Sequence, residues 1–198
     1  MSAFYLTGNA AADQLLAKDP NAVLIGMVLD QQVTMEKAFT GPAVIAERMG
    51  GRLDVAAIAA MDPEQFAALC AKPPAVHRFP GSMAGRVQGV CQVLVRDWKG
   101  QASRMYASAA TGQDLKRLIA SLPGFGEQKA SIFVALLGKR FGVTPAGWEQ
   151  AAGGYGRPGT FVSVADIADP ASLQLIREAK RLAKAEARAA AASKSAPA

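Results

Sequence analysis

Histidine is almost missing from this chain: among 198 residues there is one, His77, and there are two cysteines, Cys70 and Cys91. A single imidazole leaves His-rich metal sites and Ser-His-Asp chemistry without their parts, and His77 reads as a loop or packing residue beside Pro73-Pro74. The two thiols sit on apolar helical faces and read as buried and reduced, with a disulfide as the alternative. They cannot supply the four ligands of an iron–sulfur cluster. Long apolar runs are missing too. The longest near the start, Ala22 to Leu29, is too short to cross a bilayer, and Met1 to Asn9 lacks the charged-then-apolar order of a secretion signal. A cytoplasmic protein without membrane contact is the default expectation.

Hydrophobic residues make up 51% of the chain, enough for a packed globular protein. The length suits one well-buried domain or two small helical lobes sharing a cleft. The net charge of +6 is unevenly spread. Residues 1–64 hold four basic and eight acidic side chains, whereas residues 65–140 hold eleven basic and three acidic. A phosphate-binding surface requires such a concentration, but solvated helix faces also produce one.

Apolar periodicity and capping residues predict short helices nearly throughout: an all-α fold of two lobes with minimal strand content. Residues 1–188 are expected to form one globular domain, and the basic, alanine-rich 189–198 a disordered tail. Asp62-Pro63-Glu64 marks a helix start by an N-cap and a proline at the first helical position. Gly41-Pro42 is expected to interrupt the helix that Thr34 caps, and Ser82 to cap a long helix reaching Trp98. Lys72 to Gly81, with its three prolines, reads as a crossing between lobes. Gly142 to Gly159 reads as a long glycine-rich loop, Thr160 to Val164 as an extended run, and Asp169-Pro170 as the start of a last helix.

The most informative stretch begins at Thr111-Gly112-Gln113-Asp114, which has the form of a capping box. The basic, amphipathic Leu115-Lys116-Arg117-Leu118-Ile119 follows and runs into Leu122-Pro123-Gly124-Phe125-Gly126. Glu127-Gln128-Lys129-Ala130 then opens an apolar helix expected to end at Gly138. Two helices joined by a glycine hairpin hold backbone N–H groups and a helix N-terminus against a phosphate. Gly124 and Gly126 help because they carry no Cβ to keep a ligand away. An ordinary helical corner uses the same residue types. The string resembles the hairpin of the helix-hairpin-helix (HhH-GPD) DNA glycosylases, the superfamily of endonuclease III and the alkyladenine glycosylases. Upstream, Leu29-Asp30-Gln31-Gln32-Val33-Thr34 resembles the segment from which those enzymes insert a side chain into the DNA stack.

The resemblance implies a monomeric base-excision enzyme of the cytoplasm and nucleoid, acting on duplex DNA with no required cofactor. It implies phosphate contacts through the N–H groups of Gly124, Phe125, Gly126, Glu127 and Gln128, with Lys129 as a nearby charge. It also implies a Na or K ion on the main-chain carbonyls of Ala120, Leu122 and Phe125. Any such enzyme must extrude a nucleotide and fill the gap. Gln32 is the candidate for the gap and Gln31 the alternative, although both also fit a polar helix end. In relatives that form a Schiff base with DNA, a lysine stands two residues beyond the second hairpin glycine; here that residue is Gln128, which is no amine nucleophile. Lys129, about 100° further round the helix, is expected to point elsewhere, so a monofunctional glycosylase follows. Relatives also keep an aspartate beyond the second hairpin helix. Asp166, ending the run Phe161-Val162-Ser163-Val164-Ala165-Asp166, is the catalytic candidate, and a helix cap is its other reading. Glu149 and Asp30 are further acids to consider. Phe79, Tyr106, Trp148 and Tyr155 are candidate walls for a base pocket. A non-catalytic hairpin DNA-binding protein is the alternative function. A helical module for another protein is a third, and it leaves the basic segment unused.

Overall fold

The computed structural model describes residues 4–194. Helix α1 (Ala10–Lys18) starts at Asn9, whose side chain accepts the N–H of Ala12, and α2 (Pro20–Leu29) starts at Asp19, which accepts that of Asn21. Every residue of α2 from Ala22 to Leu29 is buried. A helix with no wet face must run through the middle of a domain, and the others are laid around it. Helix α3 (Met35–Arg48), capped by Thr34, packs along α2. Helices α4 (Val55–Ala60) and α5 (Pro63–Ala71), begun by Asp54 and Asp62, lie against α6 (Pro80–Trp98). Helix α7 (Ala102–Ala107) touches both α2 and α6. On the other side, α8 (Gly112–Ala120) and α9 (Glu127–Phe141) form the hairpin, with α10 (Trp148–Ala152) packed on both. Helix α11 (Pro170–Lys194) ends the described chain. The architecture is all-α: among the described residues no β-strand forms, and no helix is long and apolar enough to cross a membrane.

Several local expectations change once packing is seen. Pro42 does not break α3. Its flanks, Phe39, Gly41 and Ile45, are buried, and a Cβ at Gly41 would lie 2.4 Å from Leu29 Cδ1, so contact with α2 carries the helix past the missing N–H. Gly138 does not end α9; Gly142, at φ 68°, does. Gly138 is there because the Trp148 ring occupies the space a side chain would need, with Cε3 2.3 Å from an added Cβ. The stretch 142–159 is correspondingly not a plain loop, since it contains α10 and a 3-10 turn, Gly153–Gly156. Phe79, not Ser82, caps α6, with Pro80 at its first position. Residues 160–164 pair with no strand and lead into a second 3-10 turn, Val164–Asp166. Helix α11 runs to Lys194, so 189–194 are helical where an unstructured tail was expected; 195–198 lie outside the described residues.

Gly112 joins the hairpin to α10 most tightly. An added Cβ there would meet Trp148 Cα at 2.3 Å and Gly147 O at 2.7 Å, both backbone atoms that cannot rotate away. Gly112→Ala is therefore expected to cost about 1–3 kcal/mol, read as a fall in thermal midpoint of about 2–4 °C per kcal/mol. An unchanged midpoint would mean that α10 is not held against the hairpin as described.

Candidate nucleic-acid interface and active site

The hairpin is built by its caps. The Thr111 hydroxyl accepts the N–H of Asp114 while the Asp114 carboxylate accepts that of Thr111, which fixes the start of α8. Buried Leu122 anchors the turn, and Gly124 reverses the chain at φ 82°. Helix α9 then begins with no side-chain cap. The N–H groups of Gly124, Gly126, Glu127, Gln128 and Lys129 take no hydrogen bond within the described protein, and Gly124 and Gly126 are exposed. Phe125 differs from the expectation: its N–H donates to the Leu122 carbonyl at 3.1 Å and its ring packs on Phe133, so it offers no amide to a phosphate. The Glu127 carboxylate would repel an anion here, and Lys116 Nζ at 3.1 Å offsets it. The carbonyls of Ala120 and Phe125 accept no backbone hydrogen bond within the described residues, and that of Leu122 accepts one, from the Phe125 N–H.

Gln31 and Gln32 have separate positions. The Gln31 amide donates to the Gly124 carbonyl at 3.2 Å and accepts from Arg86, so it ties the end of α2 to the hairpin. Its own carbonyl accepts from His77 Nε2 at 2.8 Å, while His77 Nδ1 accepts the N–H of Phe79. His77, 1% exposed, is thus the neutral Nε2–H tautomer by its two partners. Gln32 is exposed, makes no hydrogen bond to the described protein, and holds a left-handed backbone at φ 54°. It has the freedom a gap-filling side chain needs; Gln31 does not.

Beside the hairpin a cavity of about 330 Å³ is lined by Met27, Asp30, Gln128, Lys129, Tyr155 and Ser163, among others. Lys129 does not point away. Its Nζ donates to the Val28 carbonyl of α2 at 3.0 Å and lies 5.4 Å from the Phe125 ring centre. Burial pulls its pKa down to about 8; the Asp30 carboxylate opposes that shift and Arg86 adds to it. Gln128 donates to the Tyr155 hydroxyl at 2.9 Å, which sets Tyr155 as one wall. The cavity therefore joins an amine, a carboxylate, an amide and the Tyr155 hydroxyl to apolar walls, in the size range of small-molecule pockets.

Asp166 is not among these groups. Its carboxylate is 4% exposed, accepts from Lys139 Nζ at 2.6 Å, and accepts the N–H groups of Val162 and Ser163 at 3.1 Å. It caps a 3-10 turn and neutralises a part-buried lysine, so the catalytic assignment fails on geometry. Asp169 caps α11 through the Ser172 N–H, and Glu149 lines a different cavity with Lys139 and Phe161. From residues 141–176 the cavity is lined by Tyr155, Val162, Ser163 and Val164, and by no carboxylate. Trp148 packs on Gly138 and Tyr106 is buried, and neither lines the cavity beside the hairpin. Ser163 and Arg86 carried no motif in the sequence. Only the contact of the 162–164 run and α6 with the hairpin region reveals them.

A family model described as HhH-GPD superfamily base excision DNA repair protein matches residues 25–197, which span the Gln31-Gln32 segment, the hairpin and the cavity. No curated protein and no solved structure matches the chain.

Replacing Asp166 by asparagine leaves Lys139, 15% exposed, without its counter-charge. Breaking such a buried pair costs about 3–5 kcal/mol. Asp166→Asn should lower the thermal midpoint while leaving activity per folded molecule unchanged. A variant that keeps its midpoint but loses turnover would return Asp166 to the chemistry.

Proposed function

Because the chain belongs to the HhH-GPD superfamily of base excision DNA repair proteins, we propose that it is a monofunctional DNA glycosylase that hydrolyses the bond between a damaged or modified base and its sugar in duplex DNA. The observation that carries this reading is the adjacency of unpaired hairpin amides to a cavity containing Asp30 and Lys129. Phosphate oxygens meet the N–H groups of Gly124, Gly126, Glu127 and Gln128 at a helix start, where the dipole favours negative charge. A monovalent cation on the carbonyls of Ala120, Leu122 and Phe125 would add positive charge beside that phosphate. Gln32 occupies the space the extruded nucleotide leaves, and the base enters the cavity.

When the C1′–N bond breaks, its electron pair leaves with the base and positive charge develops on the sugar. Asp30 is the carboxylate suited to stabilise that charge and to take the proton of the water that adds to C1′. It does from the C-terminal end of α2 what had been expected of Asp166. The enzyme works as a monomer on nucleoid DNA in the cytoplasm. A panel of duplexes carrying different lesions, assayed for abasic-site formation, tests the reading. At least one duplex should be processed, and Asp30→Asn should slow it by roughly 100-fold or more without loss of fold. Tight duplex binding with no lesion processed would identify a non-catalytic hairpin DNA-binding protein instead.

Lys129 supports a second reading, in which the enzyme also cuts the strand. A pKa of about 8 leaves part of this amine unprotonated near neutrality. Attack of Nζ on the C1′ aldehyde of an abasic site, with loss of water, forms a Schiff base that borohydride reduces to a stable amine. Trapping of the wild type and not of Lys129→Met, rising with pH through about 8 as the amine loses its proton, would establish it. Absence of trapped complex at pH 9 leaves hydrolysis alone.

A further inference from the structure

A cavity of about 470 Å³ lies at the far ends of the two helices that meet beside the hairpin. The first turn of α2 and the last turns of α9 wall it with Val23, Leu137 and Phe141, while α1 and α7 add Leu16 and Tyr106. It shares no lining residue with the cavity that holds Asp30 and Lys129. Along α2 from Val23 to Val28, and along α9 from Leu137 to Lys129, the two are separated by roughly 8 and 12 Å of helix. We propose that this cavity binds a small amphiphilic carboxylate, its apolar body held between α2 and α9 and its carboxylate at the mouth beside Lys18.

The apolar body follows from the walls. Protein interiors pack as densely as organic crystals and leave few voids wider than a water molecule. An opening of this volume lined by leucine, valine and aromatic rings is in the size range of small-molecule sites, and an apolar guest gains by leaving water for it.

The head group follows from the donors. The cavity is lined by the hydroxyl-bearing Tyr106, Ser103 and Thr144 and by Lys18, and by no carboxylate. Among the described residues the Lys18, Ser103 and Thr144 side chains make no hydrogen bond or ion pair. Tyr106 is 5% exposed, and its hydroxyl reaches only the Pro20 carbonyl, at 3.5 Å, a long bond that a closer acceptor replaces. Burial, with the Asp19 charge behind it, pushes the Tyr106 phenol well above its ordinary pKa, so it stays a donor. Asp19 itself is committed to the start of α2, where it accepts the Asn21 N–H at 2.8 Å. The C-terminal ends of α1 and α9 oppose an anion, and each carries cations in its last turn that offset this: Lys18 on α1, Lys139 and Arg140 on α9. A carboxylate answers the lysine and the phenol with acceptor oxygens, whereas an ammonium offers only further donors.

The test titrates octanoate, octanol and octylammonium, which share one tail and differ in the head, into protein isotope-labelled at its leucine and valine methyls. The methyls of Leu16, Val23 and Leu137 should shift and saturate, while those of Leu122 in the hairpin stay still. Octanoate should bind about fivefold more tightly than octylammonium, the scale of one exposed ion pair. Lys18→Met, at an exposed position, should bring octanoate level with octanol. Tyr106→Phe keeps the ring and should weaken octanoate by roughly fivefold without weakening octylammonium. No saturable shift, an octylammonium affinity equal to or above that of octanoate, a carboxylate preference that survives Lys18→Met, or shifts centred on the hairpin each overturn the proposal. Octanoate and duplex DNA should bind together, and a duplex that displaces octanoate also overturns it. A protein that takes octanoate as described but binds no duplex keeps this site and loses the excision reading instead.

Discussion

The contact on which the site depends is the meeting of Lys129 with the carbonyl end of α2. That helix is apolar on every side and buried from Ala22 to Leu29, so its last carbonyls emerge where little water is available to satisfy them. Lys129 reaches from the first turn of α9 to the Val28 carbonyl, placing a cation where the helix dipole is negative. The Gln31 bond to Gly124 makes the same junction a second time, from the other direction. Two elements far apart in sequence are thereby locked so that the hairpin amides, the cavity and the Gln32 backbone have fixed relative positions. Desolvation is the penalty for that arrangement, and it appears in the lowered pKa of Lys129.

The same junction explains how a site for a polyanion tolerates acids. Glu127 stands at the first position of α9, favourable for the helix but adverse to a phosphate, and Lys116 from α8 neutralises it. Asp30 lies on the cavity side of the α2 end, near Lys129, and not on the hairpin's exposed rim. Positive potential therefore belongs to the hairpin surface, while the carboxylate is kept for the interior of the cleft. Asp166 belongs to neither. With Lys139 it forms a buried ion pair beneath the glycine-rich segment, where two backbone N–H groups complete its hydrogen bonding. Its work is to close the fold behind the cavity and hold Ser163 at the wall.

What could be read from the sequence divides along a physical line. Signals completed within one turn of chain were legible. The Thr111–Asp114 capping box, the aspartate caps at 62 and 169, and the Pro-Gly reversal at 124 each need only their neighbours. Signals completed by a distant partner were not. Gly138 looks like a helix stop until Trp148 is found lying on it, and Gly41-Pro42 like a break until Leu29 is found against it. Asp166 resembled a catalytic acid because its partner, Lys139, lies on α9 with α10 between them in the chain, and nothing local shows the pairing. Lys129 was misplaced for a related reason. A rotation of about 100° separates helix positions at the backbone, but a four-carbon stem beside a buried carbonyl follows the carbonyl.

Gln32 shows why the turn between α2 and α3 is held so firmly. A non-glycine residue in the left-handed region costs about 1–2 kcal/mol, and such a conformation persists only where surrounding bonds determine it. Here they do. His77 holds the carbonyl of the preceding residue, Arg86 and Gly124 hold that residue's amide, and Thr34 caps α3 two residues on. The strain is borne by the free protein, which leaves the Gln32 side chain exposed and unbonded in advance of any partner. In the role proposed for Gln32, a side chain entering a base stack benefits from this order of events, because the backbone beneath it has nothing left to rearrange when the duplex opens. The histidine that looked like a packing residue does pack, and by packing it sets the direction of the residue that matters.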